Sequence, residues 1–234
     1  MLFRSVADIA SGAVSRVAFP YGKLLVLQQD LLPLANFWWS PDQRHLYTVA
    51  FGDNMEAAYL FDVNVATGAV RTVLEERAQP RLDLNSTSYN PPNVHVTADG
   101  TRLIWWSERD GWGHLYLYDM ATGHLLNRIT SGPWLVRDLA HIDEGRGLIY
   151  FTAGGREGGN PYYRSLYRVR FDGTEFARVS PDTADVMVTA GAAVSRRDGG
   201  SGSEAVSPSG RFVAYNVSTP SRPTEFVIRR SGDG

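Results

Sequence analysis

Glu75-Glu76 is the pair in this sequence with the plainest chemistry: two adjacent carboxylates aimed into one cleft would hold an ammonium group by charge-assisted hydrogen bonds. The pair follows a strand-like segment, Ala69 to Leu74, where neighbouring residues face opposite sides, so it reads as solvated rim. Glu108-Arg109-Asp110-Gly111 mixes acid and base, yet an Asp-Gly turn between strands, with Arg109 paired to a carboxylate, accounts for it without catalysis. His45, His95, His114, His124 and His141 show no metal-ligand spacing with one another or with a carboxylate, so no metal site is expected. Ser201 lies in the polar stretch Gly200-Ser201-Gly202-Ser203, and no G-x-S-x-G element supplies a nucleophile. Residues 154–164, GGREGGNPYYR, are rich in glycine but lack the lysine and the strand-to-helix context of a phosphate loop. They read as a long loop, at a domain interface, anchored by Tyr162 and Tyr163. No catalytic residue and no cofactor is assigned.

What must position these residues is a repeat of hairpins. WWSPDQRHLYTV at 38–49, HVTADGTRLIWW at 95–106, WSERDGWGHLYLYD at 106–119, AHIDEGRGLIYF at 140–151 and AVSPSGRFVAYN at 205–216 share one plan. Each has apolar residues, a turn of Asp, Gly or Ser-Pro type, then a strand of alternating large side chains. A repeat made only of strands and turns predicts an all-β fold, a partial β-propeller of about four to five antiparallel four-stranded blades. The blades centre near 40–74, 94–131 and 138–180. The glycines that close successive units, Gly68, Gly123 and Gly173, are spaced by 55 and then 50 residues. That exceeds a minimal blade of about 40–45 residues, so loops at 77–93, 152–163 and 183–203 are expected to be long.

Alternation assigns Trp39, Leu46, Leu103, Trp105, Leu115, Leu117, Ile149, Phe151 and Leu166 to the core, with Trp38-Trp39 and Trp105-Trp106 sending one ring to each face of a blade. Leu24 to Leu34 reads as an extended connection, and 195–204, SRRDGGSGSE, as a disordered loop. Asp8-Ile9-Ala10-Ser11-Gly12 resembles Asp119 to Gly123, so the chain is expected to begin inside a blade. Residues 1–5, MLFRS, match what a sequencing-library adapter would encode and are expected to be non-native.

The 234 residues, 43% of them hydrophobic and 21% charged, suit one large all-β domain with a sizeable core. A formal net charge of −2 gives no electrostatic reason to expect a nucleic acid or an anionic membrane as partner. With no cysteine, disulfides, thiolate catalysis and cysteine-bound metals are excluded. No apolar run reaches the roughly 20 residues of a membrane-spanning helix.

The turn Trp106 to Trp112, the segment Ile129-Thr130-Ser131-Gly132-Pro133-Trp134, the strand Ile149-Tyr150-Phe151-Thr152 and the run 154–169 resemble, in this order, the N-terminal propeller of dipeptidyl peptidase IV-like serine peptidases. The resemblance implies an eight-bladed propeller that caps an α/β-hydrolase domain carrying the catalytic serine, aspartate and histidine. This chain holds no such domain, so residues 1–234 are expected to be a propeller fragment without peptidase activity of its own. Its parent would then be a serine-type dipeptidyl peptidase, periplasmic or secreted, with a homodimer left open. Peptide substrate would be the partner, met through the missing hydrolase domain, and the propeller would gate and position it. The alternative is a free-standing propeller used as a binding scaffold.

The resemblance also bears on two sites. The family grips the substrate amine with a glutamate pair placed ahead of a strand like Phe37-Trp38-Trp39, whereas residues 20–36 here contain no glutamate. Tyr89 and Asn90, within NSTSYNPPN, match an aromatic and an arginine that line the family's pocket beyond the second substrate residue. They are the candidate substrate-binding residues, with the arginine absent. An ordinary interblade connection is the other reading of that loop.

Overall fold

The structure of the chain, a computed structural model, describes residues 5–20, 24–25, 37–52, 54–85, 92–181, 183–188 and 205–231. Among the described residues, eighteen strands form five antiparallel sheets and no helix occurs. A hairpin of β1 (Ser5–Ala7) and β2 (Val14–Arg16) comes first. The second sheet holds β3 (Leu24–Leu25), β4 (Phe37–Trp39), β5 (His45–Gly52), β6 (Ala57–Asn64) and β7 (Val70–Arg77). The third is β8 (Val94–Val96), β9 (Arg102–Ser107), β10 (His114–Asp119) and β11 (Leu125–Arg128). The fourth is β12 (Leu135–Asp143), β13 (Leu148–Gly154), β14 (Arg164–Arg170) and β15 (Ala177–Arg178). The fifth contains β16 (Asp185–Met187), β17 (Phe212–Thr219) and β18 (Arg222–Arg230). Apart from β3 and β4, which both pair with β5, neighbouring strands follow chain order, so the sheets are up-and-down meanders, the blades of a propeller. The predicted centres of the three full blades hold.

Backbone contacts divide the chain into two compact units. One comprises residues 1–92, 96–103 and 119–124; the other comprises 93–95, 104–118 and 125–234.

Two local turn designs explain why these sequences stop and reverse where they do. Between the first and second strands of a blade, a Ser or Thr hydroxyl and an Asp or Ser side chain tie off a six-residue turn. Thr97 Oγ1 donates to Asp99 at 2.6 Å, and the amide of Arg102 donates back to Thr97 Oγ1 at 3.0 Å. Ser40, Asp42 and His45 repeat the arrangement, and Ser207, Ser209 and Phe212 do so again. Between the third and fourth strands, the side chain of Asp8, Asn64 or Asp119 accepts from the amide of the residue three positions on. A glycine then follows with φ near +70° at Gly12, Gly68 and Gly123. The expected likeness of Asp8–Gly12 to Asp119–Gly123 is thus a shared hydrogen-bond pattern.

These glycines also set how one blade meets the next. A Cβ on Gly68 would lie 2.2 Å from the Arg16 carbonyl oxygen, and one on Gly123 would lie 2.3 Å from that of Val73. Three or four residues past each turn, a side chain on the outer strand donates to a carbonyl of the following closing turn. Ser15 Oγ reaches Ala66 O at 3.2 Å, Arg71 reaches Ala121 O at 3.2 Å, and Asn127 reaches Phe171 O at 2.9 Å. Each acceptor stands two residues before Gly68, Gly123 or Gly173. The blade seam is therefore a close backbone approach plus a side-chain latch.

Apolar side chains fill the seams. Strand β13 is buried along its whole length because its two faces serve different clusters. Ile149, Phe151 and Ala153 pack with Trp106, Leu117 and Trp134, while Leu148 and Tyr150 pack with Val213, Tyr215 and Val217. In the other unit, Ala50, Tyr59 and Phe61 form one cluster and Val17, Leu46 and Val63 another.

Eight of the nine predicted core residues are buried, and Trp39 is not: it is 49% exposed. β4 pairs at the edge of its sheet, so its alternate residues Phe37 and Trp39 face outward, and Trp38 lies against Tyr47 instead. Strand β7 runs to Arg77, so Glu75 and Glu76 lie inside it rather than beyond its end. The innermost strand of the second and fifth sheets is in two pieces: β3 and β4 both pair with β5, while β16 and the Val206 bridge both pair with β17. Residues 26–36 and 189–204 separate the pieces. They lie outside the described residues, as do residues 1–4, the predicted disordered stretch 195–204 and Ser201.

Candidate functional site

Each blade has two unlike ends. One carries the tight turns just described; the other carries the loops between second and third strands and the connections between blades. Side chains with chemistry to offer gather at the loop end of the third and fourth sheets.

Arg156 and Glu157 sit there on the long loop after β13. Glu157 Oε1 accepts from the Tyr167 hydroxyl at 2.8 Å and from Arg156 at 2.8 Å, and Arg178 stands 3.7 Å from its second oxygen. Burial pushes the Glu157 carboxyl up, but the Tyr167 and Arg156 hydrogen bonds outweigh it and leave the group below the usual glutamate range. Burial and that same carboxylate raise the Tyr167 hydroxyl to about 12. Glu157 is therefore a fixed anion flanked by two guanidinium groups at a partly exposed position.

Beside it, Arg164 at the start of β14 grips Asp185 through two hydrogen bonds, Nε to Oδ1 at 2.9 Å and Nη2 to Oδ2 at 2.7 Å. Asp138 lies 3.6 Å from the same guanidinium and accepts from Thr152 at 2.9 Å. Burial raises the Asp185 carboxyl less than Arg164 lowers it, so it stays ionised below the usual range.

The predicted Asp110-Gly111 turn is present, with Gly111 at φ 84° and its amide bonded to the Glu108 carbonyl. Asp110 accepts from the Tyr116 hydroxyl at 2.7 Å and pairs with Arg128 at 2.9 Å, contacts that hold its carboxyl below the usual range. Arg109 lies over the Tyr116 ring, 4.5 Å from its centroid. Trp112 and Tyr162 are large side chains left exposed on these loops.

A cleft of about 570 Å³ lies in the first unit at the turn end, bordered by Asp42, His45, Tyr47, Asp62, Arg71 and Asp99. Its acids are committed to structure. Asp42 and Asp99 cap their turns, and Asp62 is bonded to His45 at 2.6 Å and to Arg71 at 3.0 Å.

Of the residues singled out by sequence, Tyr89 and Asn90 lie outside the described residues. Glu75 is exposed and bonded to Arg77, two positions along the same face, while Glu76 points to the other face. The histidines are dispersed. His95 bonds Glu144 at 2.7 Å, His114 is buried on Thr130 and Gly132, His141 leans on Tyr150, and His124 is exposed. No group of three or more His, Cys, Asp or Glu able to hold a metal ion occurs among the described residues, and neither does a helix long and apolar enough to cross a membrane. Sequence reasoning passed over Arg156 and Glu157. The signal was a charged pair bracketed by two glycine pairs, GGREGG, read for its glycines alone.

Residues 5–224 match the profile of a family described as the dipeptidyl peptidase IV N-terminal region. A protein of Emericella nidulans described as "Probable dipeptidyl peptidase 4" is 26% identical over 152 residues, which cover 63% of this chain and 19% of that protein. Among solved structures, dipeptidyl peptidase 4 of Porphyromonas gingivalis superposes with a TM-score of 0.72 at 20% identity, over 97% of this chain and 28% of that one. TolB of Acinetobacter baumannii superposes with a TM-score of 0.51 at 14% identity, over 98% of this chain and 46% of that one. At these identities the two structures establish the fold. The chain spans a minor part of each relative.

Proposed function

This chain belongs to the dipeptidyl peptidase IV N-terminal region family, and from that premise we propose that it is the non-catalytic propeller portion of a serine exopeptidase that removes dipeptides. On this reading the blades restrict which peptides reach the catalytic domain and help to shape the subsites, while covalent chemistry belongs to a separate hydrolase domain. The observation that carries the proposal is the asymmetry of the blades. The turn ends of the second and third sheets are closed by capped turns of shared design, whereas the loop end of the fourth sheet gathers Arg156, Glu157, Arg164 and Asp138, with Asp185 of the fifth beside them, a set of fixed charges suited to orienting a peptide's polar groups. Tyr89 remains the candidate subsite aromatic, with Asn90 beside it.

The test uses this chain and the protein encoded when its reading frame is extended on both sides. The longer protein should contain a G-x-S-x-G element and release p-nitroaniline from a Gly-Pro conjugate. The 234-residue chain should release none above a buffer blank. In the longer protein, Tyr89→Ala should raise KM with a smaller effect on kcat. A longer frame with no nucleophile element would remove the peptidase reading and leave a propeller used as a binding scaffold.

A further inference from the structure

At the loop end of the fourth sheet, three aromatic rings surround one cation. Trp134 and Phe176 meet at 5.7 Å and 63°, Tyr167 and Phe176 at 5.4 Å, and Trp134 and Tyr167 at 6.3 Å. The Arg156 guanidinium lies 4.6 Å from the Phe176 centroid, 5.7 Å from that of Tyr167 and 6.0 Å from that of Trp134. Glu157 closes the lip of this box through its hydrogen bonds to the Tyr167 hydroxyl and to Arg156 itself. Rings presenting their faces, with a carboxylate at the edge, make the arrangement that binds organic cations through ring quadrupoles and charge.

The walls and the occupant have different supports. Trp134 and Tyr167 belong to the buried cluster shared with Phe151 and Val169, so the box is part of the core. Arg156 comes from a surface loop whose residues 155–162 are all exposed. Glycine pairs bracket it, and Gly155, Gly158 and Gly159 have φ of 82°, 75° and 72°. No buried apolar side chain of that loop fixes it in place.

We propose that the Trp134–Tyr167–Phe176 box is a binding site for an organic cation, that Arg156 occupies it as an internal substitute, and that the ligand is the guanidinium or ammonium group of a basic peptide. Cation affinity follows from the rings alone; only the peptide context rests on the proposed function. A group tethered by a short flexible segment competes at an effective concentration on the order of millimolar, so an external cation binds weakly until Arg156 is displaced or removed.

The test is titration of the 234-residue chain, as wild type and as Arg156→Ala and Arg156→Gln, with N-acetylarginine amide. The neutral near-isostere N-acetylcitrulline amide is the control. The readout is the indole N–H resonance of Trp134, assigned with Trp134→Phe, and the melting temperature of each variant is recorded. Both Arg156 variants should bind the arginine amide at least tenfold more tightly than wild type, with no saturable shift from the citrulline amide. Adding Phe176→Leu to Arg156→Gln should remove at least tenfold of that affinity while the protein still melts cooperatively. Equal affinity in wild type and both variants, or equal binding of the citrulline amide, would overturn the proposal. No peptidase activity enters the measurement, so its failure leaves the propeller reading to its own kinetic test.

Discussion

Nε2 of His114 donates to the carbonyl of Gly132 at 2.9 Å, while its Nδ1 accepts from the Thr130 hydroxyl at 3.0 Å. Both ring nitrogens are used in the neutral form, and a buried imidazole, 1% exposed, is held that way. Trp134 stands edge-on to the ring at 4.8 Å. This histidine therefore ties the start of β10 to the Thr130–Trp134 segment.

Acid should loosen that tie. Burial lowers the His114 pKa below the usual histidine value, with the Gly132 hydrogen bond acting weakly the other way. A depressed folded pKa means that the unfolded state binds the extra proton first. The stabilisation is complete above the unfolded value of about 6.5 and is lost as pH falls from there toward the folded value. His141, lowered mainly by burial, acts in the same sense. The melting temperature should drop between about pH 7.5 and pH 5.5, and His114→Gln should melt lower but with a shallower dependence. An unchanged slope in the variant would remove His114 from the account.

Glycine replacements should separate the closing turns from ordinary ones. Gly111 has a positive φ but open space around it, so Gly111→Ala should cost about 1 kcal/mol from backbone conformation alone. Gly68→Ala and Gly123→Ala add a collision with a carbonyl and should cost more, roughly 2–4 kcal/mol. Urea midpoints at a common m value measure the difference.

Replacing both Glu75 and Glu76 with alanine should do little. Glu75 is on an exposed strand face beside Arg77, a setting in which ion pairs contribute about 0–1 kcal/mol. The same change in the longer protein should leave KM for a dipeptide conjugate nearly as it was; a large rise would return the pair to the substrate site.

Self-association is expected through the fifth sheet. Val213 is 1% exposed and Val227 packs with it against the fourth sheet, so neither belongs to the open face. The residues left open are Met187, Phe212, Phe226 and Ile228, and register places Phe226 opposite Asn216, which itself pairs with Met187. An apolar sheet face of this kind favours association. Phe226→Lys with Ile228→Glu should lower the weight-average mass in sedimentation while leaving cooperative melting intact.

The fold was legible because its information is local and repeated. The Ser-Pro-Asp and Thr-Ala-Asp-Gly turns and the closures Asn64–Gly68 and Asp119–Gly123 each encode a hydrogen-bond pattern of five or six residues, enough to place the second and third sheets. Trp39 was misjudged because edge placement depends on which strands pair with β5, not on alternation. The Arg156 box was illegible for the same reason. Its members at 134, 156, 167 and 176 share no period, and only strand register brings them together. Charge composition likewise said nothing of Glu157, whose partners come from three separate segments.

The seam latches aim at main-chain oxygen atoms. Ser15, Arg71 and Asn127 differ in size and charge but do the same work, because an acceptor on the backbone is there whatever residue bears it. Only the donor must keep a hydrogen-bonding group, and only the closing glycine must keep its identity. Mutational drift can therefore erase the likeness between neighbouring repeats while the spacing of adjacent blades persists. A copied blade would join its neighbour without any matched change on the other side, so growth by duplication is built into the joint.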